Sequence, residues 1–539
     1  MKRISRHIIP KERKKEINDN YSSLIDALKQ HRKKHKDKVA TKPTNLEEPA
    51  WVRISPGSPI HGNKESYRLC IGFKNIGCKY REKDPLGLGC LICGYYARTA
   101  FRDVNSNTII KQFVEGLRRV HNESTRPNSV EFLNDGSFLN PEEFDKKTQI
   151  ELFKNVKIMP HVLRVLVETR PEYIKKETIE FLINNLRHNQ LLEIGIGLES
   201  ANSFIREKCI NKGFTLSDFE NSLKIISNLY NLYPKRLGVV AYLIIKPPFL
   251  THKECIKDII ESLKYLQNLN NKYNFRIVPK LEPAAISNGT ILSMLHKAKD
   301  TTFYYEPLNY WAVLEILARA YYEFKDIEFE IRIGAREDMD DVIKAPAVYN
   351  KDGETFHPFD FVIYESIQKF NQHQNYLRLF AVIDEVYQLF NDIPLKNQKS
   401  PLMKLLKENG IKDSSILRFI DENILSLNKQ KKKQKTKNDI EMMKIIYRVL
   451  DILEGLSPDY PDLKKNIDKS LSNKYQLENY ITECFEKVAP KTFVKVNIVE
   501  VETITTEIGN VYAGIFFDVT NLHRDDKLSV WSRFSLSKK

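Results

Sequence analysis

The sequence predicts an α/β protein built around a full or partial (β/α) barrel, and three observations carry that prediction. Short β-branched runs recur about every 30 to 50 residues from residue 66 onward, after one longer first gap. Most are followed by amphipathic, helix-like stretches, the pattern of parallel strands joined by helices. A cysteine-bearing loop follows the first run, and in barrels and doubly wound sheets alike function lies just beyond the carboxyl ends of the strands.

In chain order, strands are expected over Tyr67–Phe73, Val130–Leu133, Val162–Glu168, Leu192–Leu198, Gly238–Ile245, Arg276–Leu281 and Phe329–Ile333. Helices are expected over Pro141–Asn155, Lys176–Arg187, Thr215–Leu229 and His252–Leu269. Past residue 345 the pattern turns helical to about residue 428, a Lys-rich stretch follows, and 440–488 is helical again. The last fifty residues alternate as strands, with Gly509-Asn510 as a hairpin turn between Val494–Thr506 and Val511–Val519. The expected organisation is a basic N-terminal extension (1–50), the barrel (51–345), a helical region (346–428), a linker (429–439) and a small α+β domain (440–539).

Composition bounds the function. An apolar fraction of 42% over 539 residues supports a sizeable core and excludes a disordered chain. The longest apolar run, Leu237 to Ile245, is too short to cross a bilayer and ends in Lys246-Pro247-Pro248. The charged N-terminus lacks an apolar signal core, so a cytoplasmic protein is expected. Seven cysteines, an odd number with four clustered, do not form a secreted disulfide framework, and metal ligation is the better use of them.

The net charge of +15 is concentrated in two places. Residues 1–40 carry 13 Lys/Arg against 5 Asp/Glu, and Lys429–Lys437 adds 6 Lys with no acid. Such runs are either solvated segments or attachments to a polyanion, of which RNA is the natural case. Few aromatics interleave with them, so nothing points to base readout.

Cys70, Cys78, Cys90 and Cys93 share one short stretch, and eleven residues separate Cys78 from Cys90-Leu91-Ile92-Cys93. Three thiolates from one loop hold three irons of a [4Fe-4S] cluster and leave the fourth open to a small-molecule chelator. A structural zinc site that adds Cys70 fits the cysteines equally well. Position favours iron-sulfur, because a metal-bearing loop directly after the first barrel strand sits at the catalytic face.

These residues resemble the radical S-adenosylmethionine (SAM) superfamily, and within it the archaeosine-synthase radical SAM subunit and its relatives. The matching stretches are Gly77-Cys78, Gly89-Cys90-Leu91-Ile92-Cys93-Gly94-Tyr95, Asn134-Asp135-Gly136-Ser137-Phe138 and Glu168-Thr169-Arg170-Pro171-Glu172. They continue through Glu193-Ile194-Gly195-Ile196-Gly197-Leu198-Glu199-Ser200-Ala201-Asn202, Asn211-Lys212-Gly213-Phe214 and Lys246-Pro247-Pro248-Phe249-Leu250, and span roughly residues 60 to 345. The cysteine spacing departs from the three residues commonest in that superfamily, which leaves Cys70 as an alternative to Cys78 for the first ligand.

The resemblance implies roles by position. Cys78, Cys90 and Cys93 would hold the cluster, and Asp135, Gly136 and Ser137 would receive the methionine amino group of SAM, a tight turn being the plain alternative. Arg170, beside Glu168, would pair the SAM carboxylate, unless the two form a structural ion pair. Glu199 and Ser200 would hold the ribose hydroxyls or cap a helix. Lys246 would meet an anionic group or solvent, and Ile92 would lie against the adenine or in the core. The implied activity is reductive SAM cleavage, acting on a modified 7-deazaguanine base in tRNA to give archaeosine, with an electron donor and a partner transferase. A radical SAM enzyme on a small molecule or peptide, and a non-catalytic zinc RNA-binding protein, remain as alternatives.

Overall fold

The computed structural model describes residues 8–40, 45–60, 66–94, 104–121, 123, 125–134, 136–287, 289–298, 302–305, 310–324, 330–334, 343–344, 358–376, 379, 449, 474–489, 494–505, 511–521 and 526–535. The chain divides into two compact units, the first comprising 1–58, 66–374 and 408–413 and the second 59–65, 375–407 and 414–539. Among the described residues no helix is long and apolar enough to cross a membrane.

The first unit is a partial (β/α) barrel. Its strands are β1 (Trp51–Pro56), β2 (Tyr67–Gly72), β3 (Ser129–Leu133), β4 (Arg164–Thr169), β5 (Leu191–Glu199), β6 (Leu237–Ile245), β7 (Ile277–Pro283), β8 (Ala285–Ile286), β9 (Arg332–Ile333) and β10 (Ile343–Lys344). Eight of them form one curled sheet in the order β1-β2-β3-β4-β5-β6-β7-β9, with β1 antiparallel at one edge and the other seven parallel. The two remaining short strands, β8 and β10, pair with each other. The helices are α1 (Lys11–Ala40), α2 (Tyr80–Lys83), α3 (Ser106–Arg119), α4 (Lys146–Lys157), α5 (Lys176–Asn184), α6 (Leu216–Leu232), α7 (His252–Tyr273), α8 (Ile291–Lys297), α9 (Tyr310–Glu323) and α10 (Pro358–His373).

Local chemistry fixes the crossover helices where the sequence puts them. Thr215 and Asp218 form a reciprocal capping box at the start of α6, and Thr251 with Glu254 does the same for α7, each satisfying orphan backbone donors of the first turn. The helix expected from Pro141 begins at Lys146 instead, because the Asp145 carboxylate accepts from Thr148 N–H and so makes Asp145 the N-cap. Nearly every residue of β6 is buried, as a parallel strand covered on both faces requires. Phe113, Phe132, Phe138, Phe144 and Phe153, all 1% exposed or less, interlock between the sheet and α3 and α4. The long helix α1, the edge strand β1 and α3 have no counterpart in the sequence expectation.

The ends of the parallel strands differ in chemistry. At the amino ends, Glu193 of β5 is fully buried and accepts from Arg332 at 2.7 and 2.8 Å and from Arg276, while Arg164 Nε stands 3.6 Å away. Arg164 also donates to Ser129 Oγ and Ser58 Oγ at 3.0 Å, and Arg276 donates to Glu330 at 2.7 Å. Beside them Arg68 meets Glu131 at 3.0 Å. Every carboxylate of this floor has a guanidinium partner.

In the second unit, α11 (Lys474–Val488) lies on a three-stranded antiparallel sheet of β11 (Val494–Thr505), β12 (Val511–Asn521) and β13 (Asp526–Ser535). Leu477, Ile481, Cys484 and Phe485 of α11 are buried, as are Val494, Val496 and Ile498 of β11. This is the small α+β element expected at the C-terminus. The expected hairpin turn Gly509-Asn510, the Lys-rich stretch 429–437 and most of 377–473 lie outside the described residues.

Candidate active site at the carboxyl rim of the barrel

The cysteine loop occupies the carboxyl end of β2. Cys78, Cys90 and Cys93 are half-buried, whereas Cys70, Cys209 and Cys255 of this unit are buried. The eleven-residue gap is filled by the single turn of α2 and a return built on Asp84, whose carboxylate accepts from the N–H groups of Leu88 at 3.0 Å and Gly89 at 2.8 Å. Asn211 donates to the same carboxylate at 3.0 Å and to Gly89 O at 2.9 Å. Leu91 N–H donates to Ile210 O at 2.8 Å, and Cys93 N–H to Cys90 O at 3.2 Å.

Burial first, and then Glu143, Cys90 and Cys93, push the Cys78 thiol up to about 12, against the pull of Arg170. The three thiols therefore share one neighbourhood. Among the described residues, no trio of His, Cys, Asp or Glu side chains is closed up as a ready metal-binding group. Cys70 points elsewhere: its Sγ lies 3.6 Å from Glu131 Oε2, and its neighbours are Leu133, Leu166, Val240, Tyr242 and Trp51.

Two cations face the thiols. Arg170, just past β4, donates to Glu172 at 2.6 Å and to Lys212 O at 2.9 Å, and its guanidinium stacks 3.8 Å from the Tyr80 ring centroid. Burial disfavours its charge, but Cys90 and Glu172 outweigh that and hold its pKa above the ordinary value. Lys212 meets Glu199 Oε1 at 2.7 Å, and this pair lies over Gly197, where a Cβ would come within 2.5 Å of both atoms. Glu199 itself sits at φ 64°, a left-handed conformation that costs a glutamate about 1–3 kcal/mol and is kept where the surroundings impose it. Gly213 has φ +72°, and a Cβ there would strike the Tyr80 hydroxyl at 2.1 Å, so only glycine lets Tyr80 OH reach Asn211 O at 3.1 Å.

The turn after β3 is organised by Glu143. Its carboxylate accepts from Lys79 N–H at 3.1 Å, from Asn140 at 2.9 Å and from Ser137 N–H. Gly136 lies against that carboxylate, with 1.7 Å separating a Cβ there from Oε2. Burial raises the Glu143 pKa against those three donors. Ser137 Oγ accepts from Arg170 N–H at 3.1 Å, so the β3 and β4 turns are tied together. Asp135 lies outside the described residues.

Glu168, Ser200 and Lys246, also singled out from the sequence, have partners of their own. Glu168 lies one layer below the rim among Tyr242, Lys280 and Glu282, where burial raises its carboxyl to about 7. Ser200 is fully buried and donates to Asp258 Oδ1 of α7 at 2.7 Å, away from the thiols. Lys246 also has positive φ, at 60°; its N–H donates to Cys255 Sγ at 3.0 Å and its ammonium lies 5.1 Å from the Tyr305 ring centroid. Ile92 is half-exposed on the cysteine loop. The rim thus brings together Cys78, Cys90, Cys93, Gly136, Ser137, Arg170 and Glu199. Reasoning from sequence missed Glu143, Tyr80 and Asp84, which carry no motif of their own, while Lys212 stood inside a matching stretch without a role.

The donor set suits an iron-sulfur cluster. Three soft thiols gathered beside two fixed cations match a centre of net negative charge. The fourth cysteine that a closed zinc site would recruit from this stretch faces Glu131 instead. Arg170, Ser137 and Glu199 border the same mouth, as a planar donor, a polar turn and a carboxylate.

The chain has archaeal relatives. The chain is 30% identical over 305 residues to the uncharacterized protein MJ0550 of Methanocaldococcus jannaschii, covering 56% of this chain and 76% of that protein. It is 28% identical over 285 residues to the archaeosine synthase subunit beta of Methanosarcina acetivorans, covering 52% and 74% respectively. The corresponding subunit of Thermococcus kodakarensis is 26% identical over 261 residues, covering 48% and 74%. No family model matches the chain. The selenomethionine-labelled apo form of the cobalamin-dependent SAM radical enzyme OxsB overlaps 78% of this chain and 58% of its own at 12% identity, with a TM-score of 0.26. At 30% identity over three quarters of MJ0550 the chain belongs to that protein's family, and its likeness to the archaeosine synthase beta subunits supports a radical SAM relationship.

Proposed function

We propose that the protein binds a [4Fe-4S] cluster through Cys78, Cys90 and Cys93 and uses it to cleave SAM reductively. The chemistry supplied at that site would be one-electron reduction of SAM, which would break its S–C5′ bond and give a 5′-deoxyadenosyl radical able to take a hydrogen atom from the substrate. The observation that carries this reading is the set of half-buried thiols facing Arg170 and Lys212 at the carboxyl rim.

The chain's own residues bind and orient. Arg170, held flat by Tyr80, offers a planar donor to the methionine carboxylate. Asp135, Gly136 and Ser137 would receive the methionine ammonium through the turn after β3, in which the Glu143 carboxylate leaves Gly136 no room for a side chain. Glu199 accepts from the ribose hydroxyls with the oxygen that Lys212 does not hold. Ile92 covers the adenine. Ser200 and Lys246 act behind the site, by fixing α7 and the turn after β6. Glu168 faces the barrel interior, where a substrate edge would sit.

The names of the archaeosine synthase relatives support an archaeosine-related role beside a partner subunit, and the substrate proposed is a modified 7-deazaguanine base in tRNA whose lysine-derived side chain is cut. An electron donor is required. The test is anaerobic reconstitution with SAM, a reductant and tRNA carrying the lysine-modified base, followed by nucleoside mass spectrometry. Archaeosine formed together with 5′-deoxyadenosine is expected. SAM cleavage that no tRNA stimulates would move the substrate to a small molecule or peptide.

A further inference from the structure

The basic amino-terminal segment is a folded part of the first unit. Ile17, Ile25 and Leu28 of α1 are buried, and its cations reach several rim loops. Arg13 meets Glu254 at 3.1 Å, Lys14 lies 5.3 Å from the Phe204 ring centroid, and His31 Nε2 accepts from Gly289 N–H at 3.3 Å. The residue that matters most is Arg32, only 4% exposed. Its guanidinium donates to Gly289 O at 2.8 Å, Cys90 O at 3.1 Å, Leu91 O at 3.4 Å and Leu88 O.

We propose that Arg32 is a positioning residue for the cysteine loop: it gathers the carbonyls of Leu88, Cys90 and Leu91 and so fixes the backbone from which Cys90 and Cys93 present their sulfurs. The geometry is specific to arginine, whose rigid fork serves several acceptors at once, while lysine's point charge cannot span them. The loop's N–H groups of Leu88, Gly89 and Leu91 are tied to Asp84 and Ile210, so Arg32 holds the carbonyl side of a strip whose N–H side is already held. A loop fixed on both sides is preorganised for its ligand. A fixed cation beside Cys90 also offsets the negative charge of the thiolates. The inference rests on the cluster reading for its purpose and not for its geometry.

The experiment compares wild type, Arg32→Met and Arg32→Lys by hydrogen-deuterium exchange on the full-length protein without cluster, and then by iron retained after anaerobic reconstitution and gel filtration. Amides of Leu88, Gly89, Leu91 and Cys93 should exchange at least about tenfold faster in Arg32→Met, and Arg32→Lys should fall between, while amides of β4 to β6 keep wild-type rates. Met-variant protein should also lose most of its iron under conditions in which the wild type keeps it. A loop equally protected in Arg32→Met overturns the proposal even if the wild type carries a cluster, and so does acceleration spread evenly over the barrel. A loop freed in Arg32→Met while the wild type binds no iron leaves the positioning role standing and removes the cluster reading instead.

Discussion

The floor and the rim of the barrel are made from the same strands but hold their charges in opposite ways. At the floor, Glu193 is enclosed by Arg164, Arg276 and Arg332, and Glu131 faces Arg68. At the rim, Glu199 and Lys246 take left-handed backbone conformations, three thiols gather, and Glu199 meets the lone ammonium of Lys212 where Glu193 meets several guanidiniums. Strain and incompletely shared charge collect where a ligand can complete them. The floor spends its charges on holding strands in register, and the rim keeps them for binding.

The largest effect should come from the floor. Glu193→Ala leaves buried Arg164 and Arg332 and half-buried Arg276 without their shared carboxylate and should cost about 3–5 kcal/mol, read by denaturant unfolding. A loss under 1 kcal/mol would erase the distinction between the two ends. The pH dependence has a definite sign. Arg68, with Lys280 and other cations, overcomes burial and lowers the Glu131 carboxyl to about 2. A carboxyl depressed on folding adds stability that is complete above its ordinary value of 4.5 and is lost as pH falls toward 2.

Next should come the rim. Arg170→Lys keeps the charge but loses the flat fork stacked on Tyr80, and 5′-deoxyadenosine formation should fall about 10- to 100-fold with little change in melting temperature. An unfolding penalty with unchanged turnover would make Arg170 a floor-like residue.

Glu168 sharpens the comparison from between the two ends. Burial raises its carboxyl to about 7, so its contribution is complete below 4.5 and is lost as pH rises through about 7. Glu168→Gln should therefore gain on wild type between pH 5 and 8, on the order of 2 kcal/mol, in paired unfolding curves. Parallel curves would place Glu168 in an ordinary solvated setting. The smallest effect is expected for Ser137→Ala, which removes the acceptor of Arg170 N–H and should cost about 1 kcal/mol, together with weaker SAM binding by calorimetry. Unaltered SAM affinity would uncouple the β3 turn from the site.

Much of this was legible in the sequence because parallel strands buried on both faces write their pattern plainly, as Leu237–Ile245 does. The cysteines and the blocks after each strand located the rim for the same reason: the fold puts those positions at one end. What stayed hidden was made by long-range pairing. Glu143 is one acid in an acidic turn until three donors converge on it, and Ser200 resembles a ligand-binding serine until Asp258 meets it from α7. Charge concealed the packing of α1, whose cations suggested a solvated segment or a polyanion contact, while its buried Ile17, Ile25 and Leu28 bind it to its own unit. A helix with a narrow apolar stripe among so many lysines gives a weak amphipathic signal.

The most direct measurement is metal and sulfide analysis with Mössbauer spectroscopy on anaerobically prepared wild type and Cys93→Ala, alongside an assay for 5′-deoxyadenosine. The account predicts about four irons and four sulfides per wild-type chain, SAM cleavage on reduction, and loss of both in the variant. A colourless protein carrying zinc, or a cluster of equal occupancy and activity in Cys93→Ala, would contradict it.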